Sequence, residues 1–476
     1  MMEATRSQEM IENHTFDEIK VGDCAQLQRT LRREDIQLFA AMSGDVNPAH
    51  VDPEYANSTQ FHGIIAHGMW GGALISTVLG TQYPGPGTIY LSQSLRFERP
   101  VHVGDTLTVK VTVLEKQEQG RRVSLDCVCT DQHGEEVISG TAFVMAPSEK
   151  VQRPRVGPLE VRVSDRNLRY QQLLDLTKGL PPLRVAVVHP CSEDALRGAL
   201  EAAVMGLITP VLVGPQARLH ALAGSLGLDL GAHVLVDAPH SHAAAACAVA
   251  MASRGEVQAL MKGSLHTDEL MLEVLRSESG LRTARRVSHV FVLDVPSYPK
   301  PLMISDAAIN VEPDLEAKRD IVQNAIDLAH ALGLKEPRVA ILAAVETVNA
   351  KMRSTLDAAA LCKMADRGQI QGGIVDGPLA FDNAISAQAA HEKGIVSRVA
   401  GVADILIAPD LEAGNMISKQ LQYLADAQAA GIVLGAKVPV ILTSRADGAA
   451  ARVASCALAL LLVKAKAAQD QTVQEA

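Results

Sequence analysis

Two textures of apolar and polar positions follow one another along this chain, and they meet near residue 150. Before it, apolar residues alternate with polar ones: Ile89, Leu91, Leu95 and Phe97; Leu107, Val109, Val111 and Val113; Val123, Leu125, Cys127 and Cys129. A period of two puts one side of each strand against a core, so the stretch predicts antiparallel strands. One strongly apolar segment interrupts them, residues 68 to about 82, with Met69, Trp70, Ala73, Leu74, Thr77 and Val78 at helical spacing. The simplest packing is an α+β domain in which strands wrap one long buried helix.

After residue 160 short β-branched runs recur: 185–188, 211–213, 234–236, 257–261, 290–293, 339–342, 373–375, 405–407 and 438–442, most of them separated by Ala/Leu-rich helical stretches. Continuous apolar strands between helices predict parallel sheets covered on both faces, an α/β domain. Its length suggests two lobes, about 161–295 plus 440–476 and about 296–439. The crossing is expected between Arg286 and Ser305, where Pro296, Pro299 and Pro301 cluster. Residues 147–160, with Pro147, Pro154 and Pro158 among basic residues and little to bury, read as a linker between domains 15–146 and 161–476.

Composition narrows the function. The 476 residues are 47% hydrophobic and 21% charged, an ordinary globular balance. Net charge is −10 and the densest basic spot is only Arg282, Arg285 and Arg286, which argues against nucleic acid as a partner. Seven scattered cysteines without a C-x-x-C pair predict free thiols in a reducing cytoplasm. No apolar run reaches the length of a bilayer span, so no membrane partner is expected.

Two groups of residues carry candidate chemistry. The first is Phe39-Ala-Ala-Met-Ser-Gly-Asp-Val-Asn-Pro-Ala-His50, followed by His67-Gly68-Met69. A helix over about 34–43 ends at Gly44, and Asn47 before Pro48 turns the chain sharply, so that Asp45 and His50 can face one another. Adding water to an activated double bond needs a base for the water and an acid for the carbon, a pair worth roughly 10²–10⁴ in rate. Gly68, at the first turn of an apolar helix, offers an N–H and a positive dipole end to a developing oxyanion. His67 is assigned to the helix start rather than to catalysis.

Residues 15–146 resemble the MaoC-like (R)-specific enoyl-CoA hydratases, which have the hot-dog fold. The segments that carry the resemblance are Ser43-Gly-Asp-Val-Asn-Pro-Ala-His-Val-Asp52, Ile65-Ala-His-Gly-Met69, Ile89-Tyr-Leu-Ser-Gln-Ser-Leu-Arg-Phe97 and Pro100-Val-His-Val-Gly-Asp105. The resemblance implies Asp45 and His50 as a catalytic dyad acting through one water, Gly68 as oxyanion donor, and Ser76 as a serine of the substrate pocket; Asn47 is a further substrate-binding candidate. The implied reaction is trans-2-enoyl-CoA plus water to (R)-3-hydroxyacyl-CoA. Ala49 is smaller than the apolar residue usual before the histidine.

The second group stands at the ends of the parallel strands, where ligands collect in such sheets. It comprises Met261-Lys-Gly-Ser-Leu-His-Thr-Asp268, with Thr267 as a helix N-cap, then Ser305-Asp306, Glu346-Thr347, Asp376-Gly-Pro378, Asp410 and Thr443-Ser-Arg-Ala-Asp447. A Ser-Arg pair ahead of a long helix is a natural seat for an anion. Neither a Gly-x-Gly-x-x-Gly after the first strand nor a P-loop is present, so a familiar nicotinamide or ATP site is not indicated.

Residues about 163–470 resemble the phosphate acetyltransferase/phosphate butyryltransferase family, closer to its butyryl branch. The carrying segments are Leu260-Met-Lys-Gly-Ser-Leu-His-Thr-Asp268, Gly280-Leu-Arg-Thr283, Ser288-His-Val-Phe291, Ser305-Asp-Ala-Ala-Ile-Asn310, Asp376-Gly-Pro-Leu-Ala-Phe-Asp382 and Leu442-Thr-Ser-Arg-Ala-Asp447. The resemblance implies acyl-CoA plus phosphate giving acyl phosphate plus CoA, with no metal and no tightly bound cofactor. By the same resemblance Ser444 and Arg445 stabilise the transition state, and Arg286 or a neighbour binds phosphate. Lys262, Arg282, Ser305 and Asp306 are substrate-binding candidates, and Asp447 stands nearest to where the acetyl branch has its base. The whole reads as a cytoplasmic bifunctional homo-oligomer built on dimers. A rival reading makes Asp306, Asp376 and Asp410 the Mg²⁺ ligands of a nicotinamide-dependent decarboxylating dehydrogenase. Another makes the first domain a thioester-binding scaffold without catalysis.

Overall fold

The computed structural model describes residues 10–157, 161, 168–231, 233–443 and 447–475. It divides into two compact units, residues 1–164 and 165–476. No helix among the described residues is long and apolar enough to cross a membrane.

The first unit runs β1 (Met10–Glu12), β2 (Cys24–Thr30), α1 (Arg33–Ser43), α2 (Pro48–Val51), α3 (Pro53–Ser58), α4 (Gly68–Thr81), β3 (Ile89–Phe97), β4 (Thr106–Gln117), β5 (Arg122–Thr130), β6 (Glu136–Met145) and β7 (Gln152–Pro154). Five strands form an antiparallel sheet in the order β2-β4-β5-β6-β3. It shares one core with α4, the hot-dog arrangement. On β4 and β5 the alternation holds: Leu107, Val109, Val111, Val113, Val123, Leu125, Cys127 and Cys129 are at most 1% exposed.

Two expectations are corrected here. The inner face of α4 is Trp70, Gly71, Gly72, Ile75, Val78 and Leu79, whereas Met69 is 56% exposed and Ala73 and Thr77 face outward. Glycine sets this phase. A Cβ on Gly71 would lie 2.2 Å from Ile138 Cδ1, so only a bare backbone lets the helix approach the sheet so closely. On β3 the alternating Ile89, Leu91 and Phe97 are 54%, 42% and 50% exposed, because β3 is a sheet edge.

The stretch expected as a linker is also folded in its first part. β7 pairs antiparallel with β1, and the Asn13 side chain donates to Pro86 O and Glu149 O while accepting from Val151 N–H. Prolines do not prevent this pairing, since only three residues on each side form it.

The second unit contains α5 (Leu168–Asp175), β8 (Leu183–Val188), α6 (Glu193–Val204), β9 (Ile208–Gly214), α7 (Gln216–Leu226), β10 (Val234–Asp237), α8 (Ser241–Ser253), β11 (Ala259–Lys262) and α9 (Thr267–Leu275). It continues with β12 (Ser288–Asp294), β13 (Leu302–Ser305), α10 (Leu315–Ala331), β14 (Arg338–Leu342), α11 (Arg353–Asp366), β15 (Ile374–Leu379), α12 (Phe381–Ile385) and α13 (Ala387–Glu392). The last elements are β16 (Ile405–Ile407), α14 (Leu411–Leu424), β17 (Gln428–Leu434), β18 (Val440–Ile441) and α15 (Ala449–Glu475).

The strands make one continuous sheet, in the order β10-β9-β8-β11-β18-β17-β12-β13-β16-β14-β15, rather than two separate parallel sheets. Two parallel blocks, β10 to β18 and β13 to β15, are joined through antiparallel β17 and β12. The hydropathy pattern missed β13 and β17. β13 follows the three prolines, and β17 reads Gln-Ala-Ala-Gly-Ile-Val-Leu, whose small residues suit a helix equally well. At Gly431 in β17 a Cβ would lie 2.3 Å from Leu442 O, so the junction tolerates no side chain there. On one face Ala244, Ala245 and Ala248 of α8 pack on Val188, Val211 and Val213; on the other Val453, Cys456, Ala457 and Leu460 of α15 share a core with Val185, Val187, Leu196 and Ala199.

Candidate functional sites

In the first unit α1 stops at Gly44, whose φ of 76° is the left-handed C-cap conformation that glycine adopts without strain. Ser43 Oγ donates to Phe39 O and accepts from Asp45 N–H at 3.2 Å. The Asp45 carboxylate in turn accepts from Asn47 N–H. Asn47 caps α2 by accepting from Ala49 N–H at 3.1 Å, and Pro48 occupies the first turn. This short helix carries His50 back towards Asp45.

His50 Nδ1 lies 2.9 Å from Ile65 O. A carbonyl only accepts, so Nδ1 carries a proton and donates it. His67 Nε2 donates likewise to Asp45 O at 2.9 Å. Donor atoms of Asp45, His50 and His67 all lie within 4.8 Å of one another. Such a set can move protons or hold a divalent ion.

Gly68 is the first residue of α4, and the N–H groups of a first turn have no partner within the helix. A Cβ on it would sit 3.0 Å from the Phe97 ring. Gly68, His50, Trp70, Phe97 and Ile138 line a cavity of about 320 Å³. Ser76, expected in this pocket, is instead exposed and lines a separate cavity with Phe39, Met69, Tyr90 and Gln93. It lies on the outward side of α4, because the glycine face turns inward. Asn47 spends its side-chain oxygen on the helix cap. The residue that the sequence reasoning set aside is His67, which is 3% exposed and in ring contact with both His50 and Phe39.

In the second unit a cavity of about 240 Å³ opens at strand ends and is lined by Lys262, His266, Thr267, Phe291, Asn415, Lys419, Tyr423, Thr443 and Asp447, among others. Lys262 is the last residue of β11 and is buried. The N-cap of α9 is His266 rather than Thr267, and its backbone N–H donates to Glu269 Oε1. Ser444 and Arg445 lie outside the described residues, but their neighbours Thr443 and Asp447 both line the cavity. A larger, mainly apolar cavity of about 840 Å³ adjoins it and shares Gln422, Tyr423 and Asp447.

Four other candidates stand apart from this cavity. Arg282 and Arg286 are exposed and do not line it. Arg286 is tied down by its backbone N–H to Asp320 Oδ2 and its Nε to Asn310 Oδ1. Ser305 and Asp306 are 0% and 2% exposed, which corrects their reading as substrate contacts. Ser305 Oγ donates to His289 O. Asp306 accepts from the backbone N–H groups of His289, Ala308, Ile309 and Asn310 and from Asn310 Nδ2, so its carboxylate is consumed in holding the chain after β13.

The magnesium set proposed for the rival dehydrogenase does not gather either. Asp376 bonds Ser397 and Gly377 N–H, and Asp410 caps α14. Among the described residues the only cluster with metal-ligand spacing is Asp45, His50 and His67. Sequence reasoning also passed over α14, whose Asn415, Lys419 and Tyr423 enter the cavity wall. Their spacing of four residues was the available signal.

A family model described as phosphate acetyl/butaryl transferase matches residues 240–460, and one described as MaoC like domain matches residues 20–130. The chain is 62% identical over 306 residues to a phosphate acetyltransferase of Rhizobium meliloti, covering 64% of this chain and 97% of that protein. It is 42% identical over 293 residues to a phosphate butyryltransferase of Clostridium beijerinckii, covering 62% and 97%. Among solved structures, a branched-chain phosphotransacylase from Enterococcus faecalis V583 superposes with a TM-score of 0.52 at 29% identity, covering 59% of this chain and 99% of that one. With a phosphate acyltransferase as its second unit and a MaoC-like domain as its first, the chain belongs to the phosphate acetyl/butyryltransferase family.

Proposed function

We propose that the protein is bifunctional: its first unit hydrates trans-2-enoyl-CoA to (R)-3-hydroxyacyl-CoA, and its second exchanges acyl groups between CoA and phosphate. The observation that carries the first half is the approach of the Asp45 carboxylate to the His50 ring beside the N-terminus of α4. Asp45 and His50 hold one water. As its oxygen bonds to C3, the double-bond electrons move towards the thioester oxygen, which accepts from Gly68 N–H. The proton lost by the water passes through the dyad to C2.

In the second unit a phosphate oxygen attacks the thioester carbonyl, the C–S bond breaks, and the thiolate leaves as the CoA thiol. Lys262 and Arg445 seat the phosphate, Ser444 and Arg445 stabilise the tetrahedral transition state, and Asp447 manages the thiol proton. Neither reaction changes an oxidation state, so neither calls for a nicotinamide. Acyl-CoA esters and phosphate are thus the small-molecule partners. The half-exposed Ile89, Leu91 and Phe97 on edge strand β3 support a homo-oligomer, and the free cysteines suit a cytoplasmic setting.

One purified sample tests both halves. Loss of crotonyl-CoA absorbance reads the first, and phosphate-dependent thiol release from acetyl-, butyryl- and 3-hydroxybutyryl-CoA reads the second. No hydration would reduce the first unit to a thioester-binding scaffold.

A further inference from the structure

The hydration chemistry proposed above uses Asp45, His50 and Gly68, and leaves unused the side chain that links them. His67 is 3% exposed, and two of the residues it touches, Asp45 and His50, belong to the site. Its Nε2–H donates to the backbone oxygen of Asp45 at 2.9 Å, across 22 residues of sequence. Its ring lies against that of His50, with centroids 3.9 Å apart and planes inclined by 33°. On another side Phe39 of α1 lies 4.9 Å away, centroid to centroid. The same residue is the N-cap of α4, so its backbone leads directly into the Gly68 N–H.

We infer that His67 is a positioning residue for the hydratase site, fixing the Asp45 backbone, the plane of the His50 ring and the start of α4 relative to one another. The inference rests on the hydratase reading of this site. The need for such a clamp follows from the local structure. Asp45 is exposed and sits between a glycine cap and a four-residue helix, with its carboxylate held by a single 3.2 Å bond from Asn47 N–H. Nothing in that loop fixes the main chain at Asp45 as firmly as a bond from a buried ring does. His50 is held at one edge by Ile65 O, and a single hydrogen bond leaves rotation about it open. Contact with a second ring restricts that rotation. A displacement of about 1 Å in such a pair costs on the order of 10²-fold in rate. His67 contributes no proton in this account, because its Nε2–H is directed at a carbonyl rather than into the cavity.

The test compares His67→Gln, His67→Asn and His67→Ala in the full chain. The terminal amide nitrogen of Gln falls where Nε2 was and restores the donor to Asp45 O; that of Asn falls near Nδ1 and does not. The protein has one tryptophan, Trp70, which lines the same cavity, so its emission reports whether the cavity remains folded. Transacylation by the second unit normalises the samples. Expected are a fall in kcat for hydration of roughly 10–100-fold in His67→Asn and His67→Ala with KM nearly unchanged, and recovery to within several-fold in His67→Gln. Should Trp70 emission show that the alanine variant has lost its cavity, the Gln and Asn variants, which fill the space, decide the matter. Equal loss in Gln and Asn, a loss confined to KM, or full activity in the alanine variant would overturn the assignment. Absence of hydration in the unaltered protein would instead remove the reading of the site, and the role of His67 with it.

Discussion

Arg452 Nη1 donates to Thr443 Oγ1 at 2.8 Å, so a buried guanidinium from the first turn of α15 grips the residue that precedes Ser444. Arg452 is 3% exposed, and burial pulls its pKa below the usual arginine value while Asp447 and Asp194 push it back up. Gly198 of α6 makes room for it: a Cβ there would lie 2.7 Å from Arg452 Cδ. Replacing Arg452 with Met keeps the volume and leaves the Thr443 hydroxyl without this donor, a loss of about 1–3 kcal/mol. Thiol release should fall at least tenfold and the second unit should unfold at lower denaturant, with hydration unaltered. Normal transacylation in Arg452→Met would show that the grip on Thr443 has no part in the reaction.

Asp45→Asn and His50→Gln each remove one member of the proposed proton-transfer pair. Hydration of crotonyl-CoA is expected to fall by roughly 10²–10⁴ in either variant, with phosphate-dependent thiol release unchanged. Hydration at the parent rate in Asp45→Asn would refute the dyad.

The contact between Gly71 and Ile138 yields a compensation experiment. Gly71→Ala places a methyl 2.2 Å from Ile138 Cδ1, an overpacking expected to destabilise the first unit by about 1–3 kcal/mol. Adding Ile138→Val deletes that Cδ1 and should return most of the loss, measured as the denaturant midpoint followed by Trp70 emission. An additive double variant would mean that the two sites do not meet.

His289 is fully buried, its Nε2 donating to Leu442 O. Burial holds its pKa below the ordinary histidine value, and the nearby Asp306 opposes the shift without reversing it. The unfolded chain therefore takes up a proton that the folded chain refuses. Stability of the second unit is complete above the unfolded value of about 6.5 and declines as pH falls below it, by at most about 1.4 kcal/mol per pH unit from this group. His289→Gln keeps a donor towards Leu442 O without titrating. The difference in unfolding free energy between pH 6.5 and 5.5 should be smaller in that variant than in the parent, and equal differences would exclude His289 as the source.

The two halves were legible in the sequence to different depths. On β4 and β5 the alternation from Leu107 to Cys129 gave both the element and its buried face, because a strand with two neighbours has only one way to turn its apolar side. The same pattern on β3 gave the element and the wrong environment, since nothing in Ile89 or Phe97 says that the strand is an edge. Helix α4 was found almost to the residue, while its phase was not. Gly71 and Gly72 count as neutral in a hydropathy pattern, yet here their missing side chains are what bring the helix onto the sheet. Residues 147–154 contained prolines and charges and so resembled a tether; pairing with β1, from Glu12↔Gln152 to Met10↔Pro154, holds part of them instead.

By itself the sequence determined what could be written in neighbouring residues: the turn at Asn47-Pro48, the helix that Gly68 opens, the βα texture of the second half, and the absence of a nucleotide-binding signature. The tertiary structure alone decided which distant groups share a space. It buried Asp306 among backbone N–H groups, turned Ser76 outward, joined two parallel blocks through β17 and β12, lined the cavity beside Lys262 and Thr443 with α14, and packed His67 against His50 and Asp45. The physical reason is range. Turn, cap and helix preferences act over a few residues along the chain, whereas burial, ring contact and cavity lining depend on which elements the folded core sets side by side.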